Sequence, residues 1–205
     1  GGLIGYNAGG SIETSYATGN VSGKYQVGGL VGYNTGTVSK SYASGDVTST
    51  SHNQVTRYLY RTSSDVSSSA YTYYMYHAYI GGLVGQNTGT LTDTYALGNI
   101  TITDTAASQT NETYVYYTMR SIGGLVGQNT GTVTNAYAIG EISGITSATR
   151  TIGSNGTGIG TVIGENGTYS SCNYATCEGS SSKWDYNTKG SYSNIYYVVD
   201  TTGVY

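Results

Sequence analysis

Charge is the property that this sequence has least of. Asp, Glu, Lys and Arg make up 9% of the 205 residues and leave a net charge of -3, whereas an ordinary globular protein has roughly 25% charged residues. Such a chain lacks the basic surface that binds nucleic acids and anionic membranes, so we expect neither as a partner. A surface of Ser, Thr, Asn and Gly needs other protection against association, and either attached glycans or burial in an assembly would supply it.

Phenylalanine and proline are missing, and 24 tyrosines supply nearly all of the aromatic side chains. Aromatic positions therefore carry a hydroxyl, which suits half-exposed, stacked rings. Long apolar runs are missing too, since those present are far shorter than the roughly 20 residues that cross a bilayer. No basic segment followed by an apolar one opens the chain. We expect no direct membrane insertion, and any signal peptide or anchor to have been removed or to lie outside this sequence.

Cysteine is scarce, with only Cys172 and Cys177 in a stretch rich in Gly, Ser and Asn. A disulfide between them would close a short loop and indicate an oxidising, extracytoplasmic location. A metal site is the alternative, but no second cysteine pair or histidine cluster accompanies them. The calcium-binding GGxGxD repeat and the phosphate-binding GK[ST] pattern are also missing, so we expect no cofactor.

What the sequence does contain is one stretch of about 20 residues written five times. The copies are GGLIGYNAGGSIETSYATGNV from Gly1, GGLVGYNTGTVSKSYASGDV from Gly28, GGLVGQNTGTLTDTYALGNI from Gly81, GGLVGQNTGTVTNAYAIGEI from Gly123 and a divergent GTVIGENGTYSSCNYATCEG from Gly160. Apolar and β-branched segments alternate with Asn-Gly and other glycine turns, which predicts strand, turn, strand, turn. Gly recurs in every possible helix window, so helix should be nearly absent.

A unit of this size cannot bury an apolar face alone, but stacked copies can. We predict an all-β, right-handed parallel β-solenoid over residues 1–183, since parallel crossovers are right-handed in about 98% of cases. Insertions are predicted at 48–80, 101–122 and 143–159, and a strand-like cap or subunit-contact segment at 184–205. The predicted core columns are Leu3, Leu30, Leu83, Leu125 and Val162, and Ile12, Val38, Leu91 and Val133.

Two further columns are predicted to form structural ladders. Stacked Asn side chains can hydrogen-bond along the stack, and stacked aromatic rings reinforce the register. The asparagine column is Asn7, Asn34, Asn87, Asn129 and Asn166, and the tyrosine column is Tyr16, Tyr42, Tyr95, Tyr137 and Tyr174.

The first two insertions approach the next Gly-Gly pair with alternating Tyr or Ile residues, a period-two pattern that predicts a returning strand. The tyrosines of the first, among them Tyr73, Tyr74 and Tyr76, form either one face of an amphipathic strand or a platform for sugars or another subunit. His52 and His77 lie in the same insertion without the Ser or Cys that a nucleophilic site needs, and are predicted to be surface residues.

The pattern GGLVGxNxGxVxxxYAxG, present at Gly28, Gly81 and Gly123, closely resembles the GLUG repeat of bacterial and archaeal surface proteins. That repeat occurs in large adhesin-like proteins and beside some secreted peptidases. SNIYYVVDTTG near the end also resembles the segment that follows such arrays. The resemblance implies an exported, surface-associated β-solenoid. It implies no catalysis, because the repeat has no catalytic residue to carry over and the zinc-peptidase pattern HExxH is missing.

The best acid/base candidates are Asp46 and Glu141, which share a turn position with Asn99. Direct stacking would place the two carboxylates two coils, about 10 Å, apart, near the upper limit for an inverting glycosidase. The alternative is a solvated turn at which Asn, Asp and Glu interchange, as Asn20 in the first copy indicates. We therefore expect no catalytic residue and no enzyme activity.

Five Asn-x-Ser/Thr tripeptides are candidates for N-glycosylation, although the motif also recurs by chance in a chain of this composition. Asn20 and Asn99 are the stronger pair because they fall on outward turns, whereas Asn166 belongs to the asparagine column. The candidates are Asn20, Asn99, Asn111, Asn155 and Asn166.

Together these features favour an extracellular or cell-surface structural protein, the repeating subunit of a filament or sheath that joins to itself through open solenoid edges. An adhesin segment that binds glycans through its Tyr-rich insertions is the alternative. A carbohydrate-active enzyme of the β-helix type is a third and weaker hypothesis.

Overall fold

The computed structural model describes residues 1–50, 54–61, 70–103, 114–144, 158–160, 162–166, 168–169, 186–188 and 191–197. These residues form 23 strands joined by turns, and no helix is present among them. We call the strands that one repeat contributes a layer.

The strands follow the repeats closely. Layer 1 contains β1 (Ile4–Asn7), β2 (Ser11–Glu13), β3 (Tyr16–Ala17) and β4 (Val21–Gly23). Layer 2 contains β5 (Gln26–Gly28), β6 (Val31–Asn34), β7 (Thr37–Ser39), β8 (Tyr42–Ala43) and β9 (Val47–Ser49). It is followed by β10 (Gln54–Arg61) and β11 (Ala70–Gly81), and the end of β11 begins layer 3.

Layer 3 continues with β12 (Val84–Asn87), β13 (Thr90–Ala96) and β14 (Ile100–Ile102). Layer 4 contains the end of β15 (Tyr114–Gly123), then β16 (Val126–Asn129), β17 (Thr132–Ala138) and β18 (Ile142–Ser143). Beyond it lie β19 (Gly158–Gly160), β20 (Ile163–Asn166), β21 (Thr168–Tyr169), β22 (Tyr186–Thr188) and β23 (Ser191–Tyr197). Layer 5 is formed by β19, β20 and β23, while β21 and β22 pair with each other.

Equivalent strands of successive layers pair in parallel and form four stacked sheets. Sheet A has the order β1-β6-β12-β16-β20 and sheet B the order β2-β7-β13-β17-β23, with β3 and β8 as further members of sheet B. Sheet C has the order β4-β9-β14-β18, and sheet D contains β5, β11, β15 and β19. Like residues face each other, for example Val31 with Val84 and Val84 with Val126. The prediction of an all-β fold with stacked parallel strands is confirmed.

The larger core lies between sheets A and B. Leu30, Leu83 and Leu125 stack above one another at the start of sheet A and are fully buried, and Val38, Leu91 and Val133 of sheet B are equally buried against them. Burying each such side chain contributes about 1.5–3 kcal/mol. The core columns therefore hold the layers together.

A second core lies between sheets C and D. It joins Val47 and Ile100 of sheet C to Val27, Ile80 and Ile122 of sheet D. Residues 78–80 and 120–122, predicted as the ends of insertions, thus belong to the stack. The alternating Tyr and Ile pattern predicts strands there, but each copy was taken to begin at the Gly-Gly pair, which follows these strands.

Glycines allow sheets A and D to approach backbone to backbone. A Cβ atom on Gly85 of sheet A would lie 2.6 Å from the backbone nitrogen of Val27, and one on Gly127 would lie 2.5 Å from that of Ile80. No side chain fits between the two sheets here, which explains why the repeat needs this glycine.

Sheet D extends past the layers through the Tyr-rich segments. Strand β10 pairs antiparallel with β11 from Gln54 opposite His77 to Arg61 opposite Ala70, and β11 pairs in parallel with β15 along its length. Both of these insertions return to the stack on a strand, as their period-two pattern predicted.

The C-terminal segment supplies the fifth strand of sheet B. Strand β23 pairs in parallel with β17, so that Tyr196 lies opposite Tyr137 and Ile195 opposite Ala136. The sequence analysis assigned Tyr174 to the fifth position of the tyrosine column, but Tyr196 occupies it, and Tyr174 lies outside the described residues. Strand β23 fits this position because its backbone matches that of β17: Asn194 and Asn135 both have positive φ, at 52° and 51°.

Candidate functional site

The buried asparagines form a continuous hydrogen-bonded ladder. Nδ2 of Asn7 donates to Oδ1 of Asn34, Asn34 donates in the same way to Asn87, and Asn87 to Asn129, each at 2.8 Å. Nδ2 of Asn7 and Nδ2 of Asn87 also donate to carbonyl oxygens of the turn that follows each of them, at 3.0 Å and 3.2 Å. Because buried amides need partners, the ladder permits only one register between layers. Asn166 lies opposite Asn129 in the backbone register.

A second amide ladder joins Gln86 and Gln128, which lie one residue before Asn87 and Asn129, to Gln26 of sheet D. Nε2 of Gln26 donates to Oε1 of Gln86, and Nε2 of Gln86 donates to Oε1 of Gln128 at 2.7 Å. In layers 1 and 2 the corresponding position holds Tyr6 and Tyr33, whose rings stack at 5.1 Å. This ladder was not predicted from the sequence, although the change from GYN to GQN between copies is a visible signal.

Four tyrosines of the tyrosine column form a stack on the outside of sheet B. The ring centroids of Tyr16 and Tyr42 are 5.3 Å apart, those of Tyr42 and Tyr95 4.8 Å, and those of Tyr95 and Tyr137 4.9 Å, with planes within 10°. Each ring pair contributes about 0.5–1.5 kcal/mol beyond its burial. The faces of Tyr42 and Tyr95 are covered by their neighbours, so this column presents ring edges and hydroxyls, and is a poor platform for stacking sugars.

The turn that holds the acid/base candidates is a third ladder. Oδ1 of Asn20 accepts the backbone N–H of Asp46 at 2.9 Å, Oδ1 of Asp46 accepts that of Asn99 at 2.8 Å, and Oδ1 of Asn99 accepts that of Glu141 at 2.9 Å. All four residues are exposed. The Asp46 carboxylate thus holds the next layer, and an amide lies between it and Glu141.

A fifth column has left-handed backbone geometry in the middle of sheet B. Its members, with φ between 47° and 54°, are Thr14, Lys40, Asp93, Asn135 and Asn194. Asn and Asp tolerate this geometry well. Nδ2 of Asn135 donates to Asp93 at 3.0 Å, and Nδ2 of Asn194 donates to Asn135 at 2.9 Å. The sequence analysis missed this column as well, since polar residues there looked like ordinary outward strand positions.

The outer side of layer 1 has no partner strand among the described residues. Leu3, Tyr6 and Tyr16 are 47%, 57% and 60% exposed, whereas Leu30, which follows Leu3 in the same column, is fully buried. Strands β1 to β4 pair only with layer 2 among the described residues. Unpaired strand edges of this kind can pair with a further strand, from the same chain or from another one.

Several predicted site residues cannot be placed in this geometry. Cys172, Cys177, Asn111, Asn155 and His52 lie outside the described residues, and for Asn166, His77, Tyr73, Tyr74 and Tyr76 only the strands are described. Within the described part of the chain, no three His, Cys, Asp or Glu side chains form a group that could hold a metal ion. No helix in that part is long and apolar enough to cross a membrane.

The stacked layers and their ladders define an all-β repeat protein. The GLUG motif matches residues 1–22, 23–48, 76–103 and 120–143, which correspond to layers 1 to 4. The chain is therefore a GLUG-repeat protein. Comparisons with the curated proteins and with the solved structures found no match.

Proposed function

We propose that this chain is an extracellular structural protein, a right-handed parallel β-solenoid that serves as the repeating subunit of a cell-surface filament or sheath. Subunits join head to tail, with the outer side of layer 1 pairing with the last layer of another copy. The observation that carries the proposal is the repetition of one hydrogen-bonding pattern at every boundary between layers.

The same backbone bonds recur along the stack. In sheet B, Thr90 N–H donates to Gly36 at 2.8 Å, as Thr132 N–H does to Gly89 at 2.8 Å. At the start of sheet A, Leu83 N–H donates to Leu125 at 2.9 Å. Layers 2 to 4 therefore repeat the same donors on one face and the same acceptors on the other within sheets A and B.

In layer 1 the equivalent groups are the Ser11 N–H and the Leu3 carbonyl. Both lie on the side away from layer 2 and have no partner among the residues described. Oδ1 of Asn7 occupies the equivalent place in the asparagine ladder. A last layer of a second copy would supply matching groups, and such a heterologous contact does not close, so it yields a filament.

The scarcity of charge supports the same proposal. Parallel stacking places like residues about 4.8 Å apart, so a charged repeat would repel itself along a filament. The outward positions of sheet B are instead mostly uncharged, chiefly Ser, Thr, Tyr and Asn. A surface with few charges allows many layers to stack without repulsion between like charges.

The test is assembly of the full chain, followed by electron microscopy and sedimentation velocity. Wild-type protein is expected to form filaments of one subunit width. Leu3→Lys places a charge on the outer side of layer 1 and is expected to leave dispersed subunits. The matched control is Thr92→Lys, on the outer face of layer 3, which should assemble normally. Wild-type protein that stays monomeric at high concentration would contradict the proposal.

The runner-up is an adhesin segment. Its support is the extension of sheet D, where β10, β11 and β15 carry Tyr-rich sequence past the layers. Retention on a glycan array that disappears when Tyr73, Tyr74 and Tyr76 are changed to Ala, without filament formation, would favour it over the structural role.

A further inference from the structure

The outward turn after the Tyr-Ala strand repeats a tripeptide in four layers. Each begins with an amide or acid and ends with a hydroxyl residue: Asn20-Val21-Ser22, Asp46-Val47-Thr48, Asn99-Ile100-Thr101 and Glu141-Ile142-Ser143. Only layers 1 and 3 have Asn at the first position. Those two tripeptides match the acceptor pattern Asn-x-Ser/Thr for N-linked glycosylation.

Stacking does not explain the choice of Asn. The bond to the next layer uses only a side-chain oxygen, and the Asp46 carboxylate makes it at 2.8 Å as well as Asn20 does at 2.9 Å. Nδ2 of Asn20 and Nδ2 of Asn99 have no hydrogen-bond partner in the part of the chain that the structure describes. The amide nitrogens are therefore available for another purpose.

The buried asparagine ladder shows the opposite use of the same side chain. There Nδ2 of Asn34 donates both to Asn87 and to the Gly36 carbonyl. A sugar replaces one of the two hydrogens on Nδ2, so it would remove one of these bonds in a site with no room for it. Asn166 lies in the register of that ladder.

We propose that Nδ2 of Asn20 and Nδ2 of Asn99 each carry an N-linked glycan, one on every second layer. The donor is an oligosaccharide activated at C1 by a phosphate leaving group. The C1–N bond forms, the C1–O bond to phosphate breaks, the phosphate leaves with the electron pair, and the amide gives up one proton. Oδ1 keeps its bond to the next layer throughout.

The spacing fits this arrangement. Neighbouring layers are about 4.8 Å apart, so sites on alternate layers are separated by about 10 Å. That distance accommodates a pyranose ring on each site, whereas adjacent layers would crowd two rings. Asn99 also separates two carboxylates that would otherwise repel each other, so charge alone gives a reason for the alternation, and the experiment must separate the two explanations.

The proposal rests on the extracellular location proposed above, and its test has a separate readout. Protein purified from its own cells is digested, and the masses of the peptides containing Asn20, Asn99 and Asn166 are measured. Carbohydrate is expected on the first two and not on the third. Ser22→Ala and Thr101→Val, produced in the same cells, should each remove one glycan while the Asn and its bond to the next layer remain.

Unmodified Asn20 and Asn99 would overturn the proposal and leave charge separation as the reason for the alternation. Carbohydrate on Asn166 would overturn the argument from the ladder. Electron microscopy of the same sample reports on filaments independently, so bare filaments reject the glycans alone, and glycosylated monomers reject the filament alone.

Discussion

Layers 1 and 2 hold their sheet B strands differently from layers 3 and 4. In the first pair the strand is interrupted, as β2 and β3 or β7 and β8, whereas β13 and β17 run unbroken over seven residues each. In layer 2, Oγ of Ser41 accepts the backbone N–H of Ser15 at 3.0 Å and donates to the Ser39 carbonyl at 2.6 Å. In layer 4 the same position is Ala136.

The difference shows how one side chain changes a strand that is otherwise repeated. A serine hydroxyl offers the backbone an alternative partner and so competes with strand pairing. Alanine has no hydroxyl and the Thr94 hydroxyl makes no hydrogen bond among the described residues, so Thr94 and Ala136 pair through their backbones. Four predictions test how far the two halves of the stack differ.

The largest effect is expected in the core between sheets A and B. Leu83→Ala in layer 3 should lower the free energy of unfolding by about 2–5 kcal/mol because it leaves a cavity among fully buried side chains. Leu3→Ala at the half-exposed end of the same column should lower it by about 1 kcal/mol or less. Urea unfolding of both variants measures this, and equal losses would show that layer 1 is covered in solution.

A smaller effect is expected where the asparagine ladder joins the two halves. Asn87→Ala removes the bonds to Asn34 and Asn129, and leaving buried amide groups unpaired should cost about 1–3 kcal/mol. Gln86→Ala serves as the control, because Gln86 and Gln26 are half-buried and water can replace part of the lost bonding, although Gln128 is buried. Chemical denaturation should therefore give the larger loss for Asn87→Ala, and the reverse order would contradict the role of the buried ladder.

Substitutions at the position that distinguishes the two halves of the stack are expected to change the melting temperature in opposite directions. Thr94, the layer 3 equivalent of Ser41, has a buried hydroxyl without a hydrogen-bond partner among the described residues. Thr94→Val should therefore raise the melting temperature, by an amount equivalent to about 1 kcal/mol. Ser41→Ala should lower it by a similar amount because two hydrogen bonds are lost. A fall in melting temperature for Thr94→Val would mean that its hydroxyl has a partner after all.

The smallest effect concerns alkaline pH. Burial, followed by the neighbouring Tyr33, raises the pKa of Tyr25 above its usual value of 10.0. Above pH 10 the folded state keeps a proton on Tyr25 that the unfolded chain loses. The contribution of Tyr25 to the free energy of unfolding is therefore fully present below pH 10 and is lost as pH rises through the folded pKa. Tyr25→Phe should flatten this loss in pH-dependent urea unfolding. Tyr33→Gln, which copies Gln86 of layer 3, should reduce it only slightly.

Much of the architecture was predictable because the repeat places like on like. Once the copies are aligned, Leu83, Val133 and Asn87 fall into columns, and parallel pairing at constant register fixes the rest. The same alignment indicated which tyrosines stack. The solenoid path of the chain and its right-handed sense are part of the function proposed above.

What the sequence could not show arises where different segments come together. Ile80 and Ile122 enter the second core at the ends of long strands, just before the Gly-Gly pair at which each copy was taken to begin. The partner of β17 is β23, far along the chain. Gln26 joins the glutamine ladder from sheet D, although its two partners are in sheet A. Such contacts depend on how layers are joined, which the repeat does not encode.

The layered arrangement also determines how this chain responds to tension. One layer stores about 20 residues of backbone in about 4.8 Å of stack height. If a pull along the stack releases a layer, that backbone extends to roughly 70 Å. A single layer that opens thus releases more than ten times the length of stack that it occupied, so the contour length of the chain is far greater than the height of its folded layers.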